Sequence, residues 1–322
     1  MNTNIVTIGG GTGTFVVLSG LKQLPDVSLS AVVSTMDDGG STGRLRDAYG
    51  FLPHGDARQA LIALADDGAS LTRSLFAYRF SKGDIEGHNF GNLFLTALTD
   101  ILGSDAKAIE AASAVLRVRG RVIPVSEKPA TLVATLENGE TVVGEHAIDT
   151  RTPGLSPIAA LSTKEPSEVC EDAKQAIAEA QVIVLGPGDL YASTLANFAV
   201  AGLKEAVAAS PAKIVYIVNL FTKAGETDGY TAQKHVDEIA RYTGRKPDLI
   251  LVHQNGFPKE VLDYYAAEKE FPVVDDLGDA SNVVRGEFAD VIVAKKVAGD
   301  VVPRSFIRHD SVRIAKEIHH VI

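Results

Sequence analysis

Two short apolar runs, at 4–8 and 29–35, flank a stretch near 14–23 whose apolar positions recur at helical spacing. Continuous apolar runs suit strands covered on both faces, so this segment predicts a β-α-β unit with parallel strands. Helical spacing returns near 56–66, 70–78, 90–101 and 105–117, which makes the next region mostly helical. The period then changes: Thr131–Leu136 and Thr141–Val143 flank Asn138 and Gly139, the dipeptide best suited to a tight hairpin turn. Beyond 171 the alternation resumes, with helices near 171–179, 191–208, 231–242 and 258–268 around strands at 181–185, 213–218 and 248–252. No repeat or low-complexity linker interrupts it. The pattern predicts a Rossmann-like, doubly wound, mostly parallel α/β sheet in a single domain over 1–322, with a small antiparallel hairpin insert at about 120–150.

The first strand runs directly into Gly9, Gly10, Gly11, Thr12 and Gly13. Consecutive glycines let backbone approach a ligand where a Cβ would obstruct it, and the free N–H groups of the following helix favour an anion. The spacing is neither the dinucleotide fingerprint nor a P-loop, and no lysine follows before Lys22, so neither standard identity holds. Tight packing is the alternative use of such a turn. A second strand-to-helix transition supports the ligand reading: Gly186 and Gly188 permit a close backbone path, Asp189 suits a helix cap, and Ser193 and Thr194 can donate to phosphate or sugar.

Three further loops carry polar groups. Asp37 and Asp38 can hold Mg²⁺ or ribose hydroxyls, Gly39, Gly40 and Ser41 offer donors, and Arg44 or Arg46 can neutralise phosphate. Asp56 suits a cap and Arg58 an anion contact, while His88, Asn89 and Asn92 stand at another helix start. Asn219 ends a later strand, and Glu226 and Asp228 follow in a glycine-bounded loop where they can hold a metal or a sugar. Solvated turns, caps and intrahelical ion pairs are the plainer uses of the same residues.

A hydrophobic content of 45% in 322 residues allows a large core. The formal charge of −10 disfavours nonspecific nucleic-acid binding, and the lone Cys170 excludes an intrachain disulfide framework. There is no basic region followed by a signal core near Asn2 and no apolar run of membrane-spanning length, so a soluble cytoplasmic protein is expected.

With its loops assembled, the chain resembles the YvcK-like gluconeogenesis factor family, relatives of the CofD 2-phospho-L-lactate transferases. The resemblance rests on GGGTG at 9–13, DDGGSTGRLR at 37–46, PHGDARQAL at 53–61, YRF at 78–80, GHNFGNLFL at 87–95, GPGDLYAST at 186–194 and GETDGY at 225–230. The usual family wording is altered at His54, Gln59, Ala60, Asp189 and Ala192. The resemblance implies a cytoplasmic regulator of carbon metabolism, cell shape and envelope synthesis that binds a UDP-sugar such as UDP-N-acetylglucosamine, with Arg308 in the nucleotide-sugar site. It also implies a possible phosphorylation site at Ser311, and a homodimer and a regulatory protein partner are expected. The transferase relatives imply an alternative: Mg²⁺-assisted group transfer from a guanosine diphosphate conjugate, with Asp37 and Asp38 as metal ligands and catalytic groups. No cofactor is otherwise implied.

Overall fold

The computed structural model describes residues 2–66, 68, 70–291 and 307–321. In chain order its strands are β1 (Thr3–Gly9), β2 (Val27–Val33), β3 (Arg121–Pro124), β4 (Leu132–Leu136), β5 (Thr141–Val143), β6 (Ile158–Thr163), β7 (Val182–Leu185), β8 (Lys213–Ile217), β9 (Leu249–His253), β10 (Val283–Gly286), β11 (Ala289–Val291) and β12 (Ile307–His309). The helices are α1 (Gly11–Leu21), α2 (Gly40–Tyr49), α3 (Gly55–Leu64), α4 (Ser70–Ala77), α5 (Phe90–Leu102), α6 (Asp105–Leu116), α7 (Glu145–Asp149), α8 (Glu171–Ala178), α9 (Leu203–Ala209), α10 (Ala232–Thr243), α11 (Lys259–Ala267) and α12 (Ser311–His319).

Seven strands pair in parallel in the order β10-β9-β8-β7-β1-β2-β3. The sheet is doubly wound as the alternation predicts. Successive side chains point to opposite faces, and both faces are covered. Ile5, Val182, Val184, Val215 and Ile217 pack with α1, α3 and α12. Their neighbours Val6, Ile8, Ile183, Leu185, Ile214 and Tyr216 pack on the other side with α8, α10 and the small antiparallel sheet. Gly20 in α1 faces the backbone carbonyl of Ser311, where a Cβ would overlap it, so α12 can lie directly on α1.

Asn138 and Gly139 turn the β4-β5 hairpin, whose register pairs Thr135 with Thr141. The structure adds β6 as a third strand beside β4 and places Arg121–Pro124 at the edge of the parallel sheet. Both were hidden by weak local signals. β3 is four residues long and ends in Pro124, tolerable at an edge where its missing N–H is not needed. β6 buries only Ile158 deeply, so its alternation lacks an apolar face. The helix expected over 191–208 divides into a π-turn at Leu190–Thr194, a 3-10 turn at Leu195–Ala199 and then α9. α2 was not foreseen because Leu45 is its one buried large apolar residue.

β12 pairs with β11 and brings His309 beneath the sheet's carboxyl edge, where Nε2 donates to the Val218 carbonyl at 3.1 Å. Burial, and secondarily the charge of His253, holds the His309 pKa down to about 4. The folded state therefore keeps this imidazole neutral while the unfolded chain binds a proton between pH 6.5 and 4. The contribution is complete above the unfolded value and is lost as pH falls through the folded one. Relative to wild type, His309→Gln is expected to flatten the loss of unfolding free energy between pH 6.5 and 4 by roughly 2 kcal/mol, measured by denaturant titration. Parallel pH profiles would remove His309 from the acid limb.

Candidate functional site

β1 and β7 are neighbours, yet the chain leaves β1 toward β2 and leaves β7 toward β8. In such sheets the reversal point opens a crevice beyond the carboxyl ends of the strands. Both glycine-rich turns lie there. A Cβ on Gly13 would overlap the Pro187 carbonyl, so the turns touch backbone to backbone. Ser193 Oγ would stand 3.7 Å from a Cβ on Gly11, and Asn219 donates from Nδ2 to the Gly188 carbonyl at 2.7 Å. Asn219 thus positions the second turn from the end of β8. Thr12 is exposed at the mouth, and Gly10 is buried.

α1 starts without a side-chain cap of its own. Asp56 supplies the missing acceptor from α3, taking the Gly11 N–H at 2.8 Å, rather than capping α3, whose N-cap is His54. Gly10 is close enough to Asp56 that any Cβ would overlap its carboxylate, and Gly55 stands in the same relation to Asp37. Burial first and the charge of Asp37 second push Asp56 up to about 7, against the pull of the Gly11 N–H and Arg58. Asp37 is likewise raised by burial, although its Oδ1 accepts the Gly39 N–H at 2.9 Å.

The adjacent aspartates diverge. Asp38 Oδ1 accepts the His146 N–H at 2.8 Å and its Oδ2 lies 3.9 Å from Arg46, so it ties α7 to the α2 loop. Asp37 faces Asp56 instead. Glu145 on α7 joins this acidic wall; burial, followed by Asp37, Asp56, Asp149 and Asp38, pushes it up to about 10.

Arginines stand opposite. Arg58 donates from Nε to Asn92 Oδ1 at 2.9 Å, and Asn92 donates onward to Thr42 at 3.2 Å. Asn89 caps α5 through the Asn92 N–H, while Ser41 accepts the Asn89 N–H and lies 3.2 Å from His88 Nδ1. Burial and neighbouring Arg79 lower Arg58 to about 10. Arg44 reaches the Glu86 carbonyl from an exposed position, and Gly40 is exposed beside it. The structure thus gathers the starts of α1, α2, α3 and α5, together with both glycine turns, around one crevice. Arg308 sits on β12, and Ser311 opens α12 with its backbone against Gly20.

Sequence reasoning missed Arg79 and Glu145. Arg79 lies inside YRF at 78–80 and pairs with Asn89 through an isolated bridge, so that motif was its signal. Glu145 had none, because its role comes from α7 folding over Asp37. His54, the N-cap of α3, is buried and lies 2.9 Å from Asp105 Oδ1. A 250 Å³ cavity beside Asn219, lined also by His253, Asn255 and Phe257, extends the crevice across β8 and β9. A larger 540 Å³ groove lies at the opposite edge, by Asn4, Ser28 and Arg121.

This is a Rossmann-like α/β protein with a polar crevice at the reversal point of its sheet. The chain belongs to the UPF0052 family of gluconeogenesis factors. The family model described as 2-phospho-L-lactate transferase CofD matches residues 5–294, a more distant relation. The gluconeogenesis factor of Halalkalibacterium halodurans is 39% identical over 317 residues, covering 98% of this chain and 95% of that one. The gluconeogenesis factor of Bacillus subtilis is 39% identical over 313 residues, covering 97% and 95%. A crystal structure of a UPF0052 family member from Bacillus halodurans is 37% identical and superposes with a TM-score of 0.88, covering 99% of each chain. Among the described residues no helix is long and apolar enough to cross a membrane.

Proposed function

We propose that this protein is a cytoplasmic, homodimeric regulator that binds a UDP-sugar, such as UDP-N-acetylglucosamine, and passes its occupancy to a protein partner controlling carbon metabolism, cell shape and envelope synthesis. The observation that carries the reading is the meeting of two glycine turns at the β1/β7 reversal point, with the start of α1 directed into it. The diphosphate lies across Gly10–Gly13 and Gly186–Gly188, with Arg44, Arg58 and Arg308 offsetting its charge. His88, Asn89, Asn92, Ser193 and Asn219 supply polar contacts. A ligand held between the main sheet and α7 shifts a conformational equilibrium to the extent that it binds one arrangement more tightly.

Calorimetric titration with UDP-N-acetylglucosamine, UDP-glucose, GDP and GTP, with and without Mg²⁺, tests this. Selective UDP-sugar binding without a Mg²⁺ requirement is expected. Gly11→Val, which forces a branched side chain onto a φ of +65°, and Arg308→Ala should each weaken it at least about tenfold. Unchanged affinity in both variants would remove the site.

A second reading is a phosphoryl-linked group transferase, favoured by the CofD match and the facing Asp37 and Asp56. Two recessed carboxylates, each pushed toward its protonated form, suit a dication; Asp38, turned to His146 and Arg46, is less available to it. Mg²⁺ bound there supplies positive charge beside a diphosphate. Guanosine nucleotide binding that requires Mg²⁺ would favour this reading.

A further inference from the structure

We propose that Asp149, Asp189 and Glu226 form a binding site for a hard divalent cation, separate from Asp37 and Asp56, that joins α7 to the second glycine turn. The three come from distant segments: Asp149 ends α7, Asp189 follows Gly188, and Glu226 lies in the loop after β8. One carboxylate oxygen from each lies within 4.8 Å of the others. Oxygens about 2.4 Å from a Ca²⁺-sized ion are at most about 4.8 Å apart, so the spacing already suits such an ion.

Hydrogen bonding provides an independent indication. Glu226 is 3% exposed, and its Oε2 accepts the N–H groups of Tyr191 and Ala192 at 2.9 and 3.4 Å, capping the π-turn in place of Asp189. Its Oε1 is buried without a hydrogen-bond partner, whereas Asp149 Oδ1 lies 3.3 Å from the Lys223 ammonium. Orphaned buried oxygens are rare, and a bound ion is one recognised cause. One orphaned oxygen on a carboxylate only 3% exposed is the feature a generic acidic surface lacks.

Lys223 does not satisfy the group. Its Nζ lies 3.3 Å from Asp149 Oδ1 and 3.9 Å from Glu270 Oε1, so one ammonium serves Asp149, Asp189, Glu226 and Glu270. That leaves excess negative charge in a poorly solvated place, which a second cation offsets. The donor set is oxygen alone, selecting Ca²⁺, Mn²⁺ or Mg²⁺ over softer metals.

The test is Mn²⁺ titration of the full chain after chelator dialysis, followed by calorimetry and electron paramagnetic resonance. Wild type should bind Mn²⁺ at this site, Glu226→Gln and Asp149→Asn should each weaken that binding at least about tenfold, and Asp37→Asn should retain it. Glutamine keeps an acceptor for Tyr191 and Ala192; should Glu226→Gln fail to fold by circular dichroism, the partly exposed Asp149 decides the result. Absence of Mn²⁺ from wild type, equal binding by the variants, or its loss on Asp37→Asn alone would overturn the site. None of these outcomes depends on nucleotide binding, so this proposal and the UDP-sugar reading fail separately.

Discussion

Gly13→Ala is expected to destabilise the protein by about 3 kcal/mol and to abolish nucleotide binding, although it adds a single methyl group. Gly13 lies in the first turn of α1 and has no positive φ, so alanine meets no backbone penalty there. The obstacle is Pro187: the new Cβ would overlap its carbonyl oxygen and carbon and crowd the Gly188 nitrogen. Those are backbone atoms of the neighbouring strand's turn, and they cannot rotate away as a side chain can. Either α1 shifts along β1 or the second turn lifts off, and both movements open the reversal point where the two turns meet. Gly256→Ala is the control, because nothing lies within 4 Å of its Cβ position. Chemical denaturation should separate the two variants clearly; similar midpoints would mean that contact between the turns contributes little.

Asp56→Asn should have the opposite effect on stability, and only in one pH range. The Asp56 pKa is raised from 3.8 to about 7 in the fold, chiefly by burial and then by Asp37. Between those values the folded protein holds a proton that the unfolded chain has released, so stability falls as pH rises through the window. Asparagine imitates the protonated acid and still accepts the Gly11 N–H. The displacement corresponds to at most about 4 kcal/mol, and water reaching the crevice reduces this to roughly 2 kcal/mol. The variant should match wild type near pH 4 and exceed it by that amount above pH 7, measured in chelator by denaturant titration. Parallel profiles would show that Asp56 is well solvated. Under the transferase reading the same variant loses Mg²⁺-dependent product formation, whereas a sugar-nucleotide regulator keeps its ligand.

Much of the crevice was legible because its chemistry is local. A glycine run after an apolar strand has few uses, and two such runs at strand ends restrict the fold to one that brings strand ends together. Asn89 was readable as a cap for the same reason, since an N-cap depends only on its own helix. Asp56 was read as a cap, but on the wrong helix: its partner, Gly11, is 45 positions away, and only packing of α3 against α1 selects it. Asp37 and Asp38 look equivalent in sequence, yet one faces Asp56 and the other holds α7. Glu226 caps a turn 35 residues earlier, where Asp189 looked sufficient.

The sequence by itself determined the parallel doubly wound architecture, the hairpin at Asn138 and Gly139, and the strand ends from which polar loops emerge. These follow from side-chain period and from backbone freedom, properties of neighbouring residues. Tertiary structure alone decided strand order, the addition of β3 and β6, and which carboxylate faces which cation. Those depend on burial and on charges brought close from distant segments, and the energy of each pair exists only once the sheet has assembled around it.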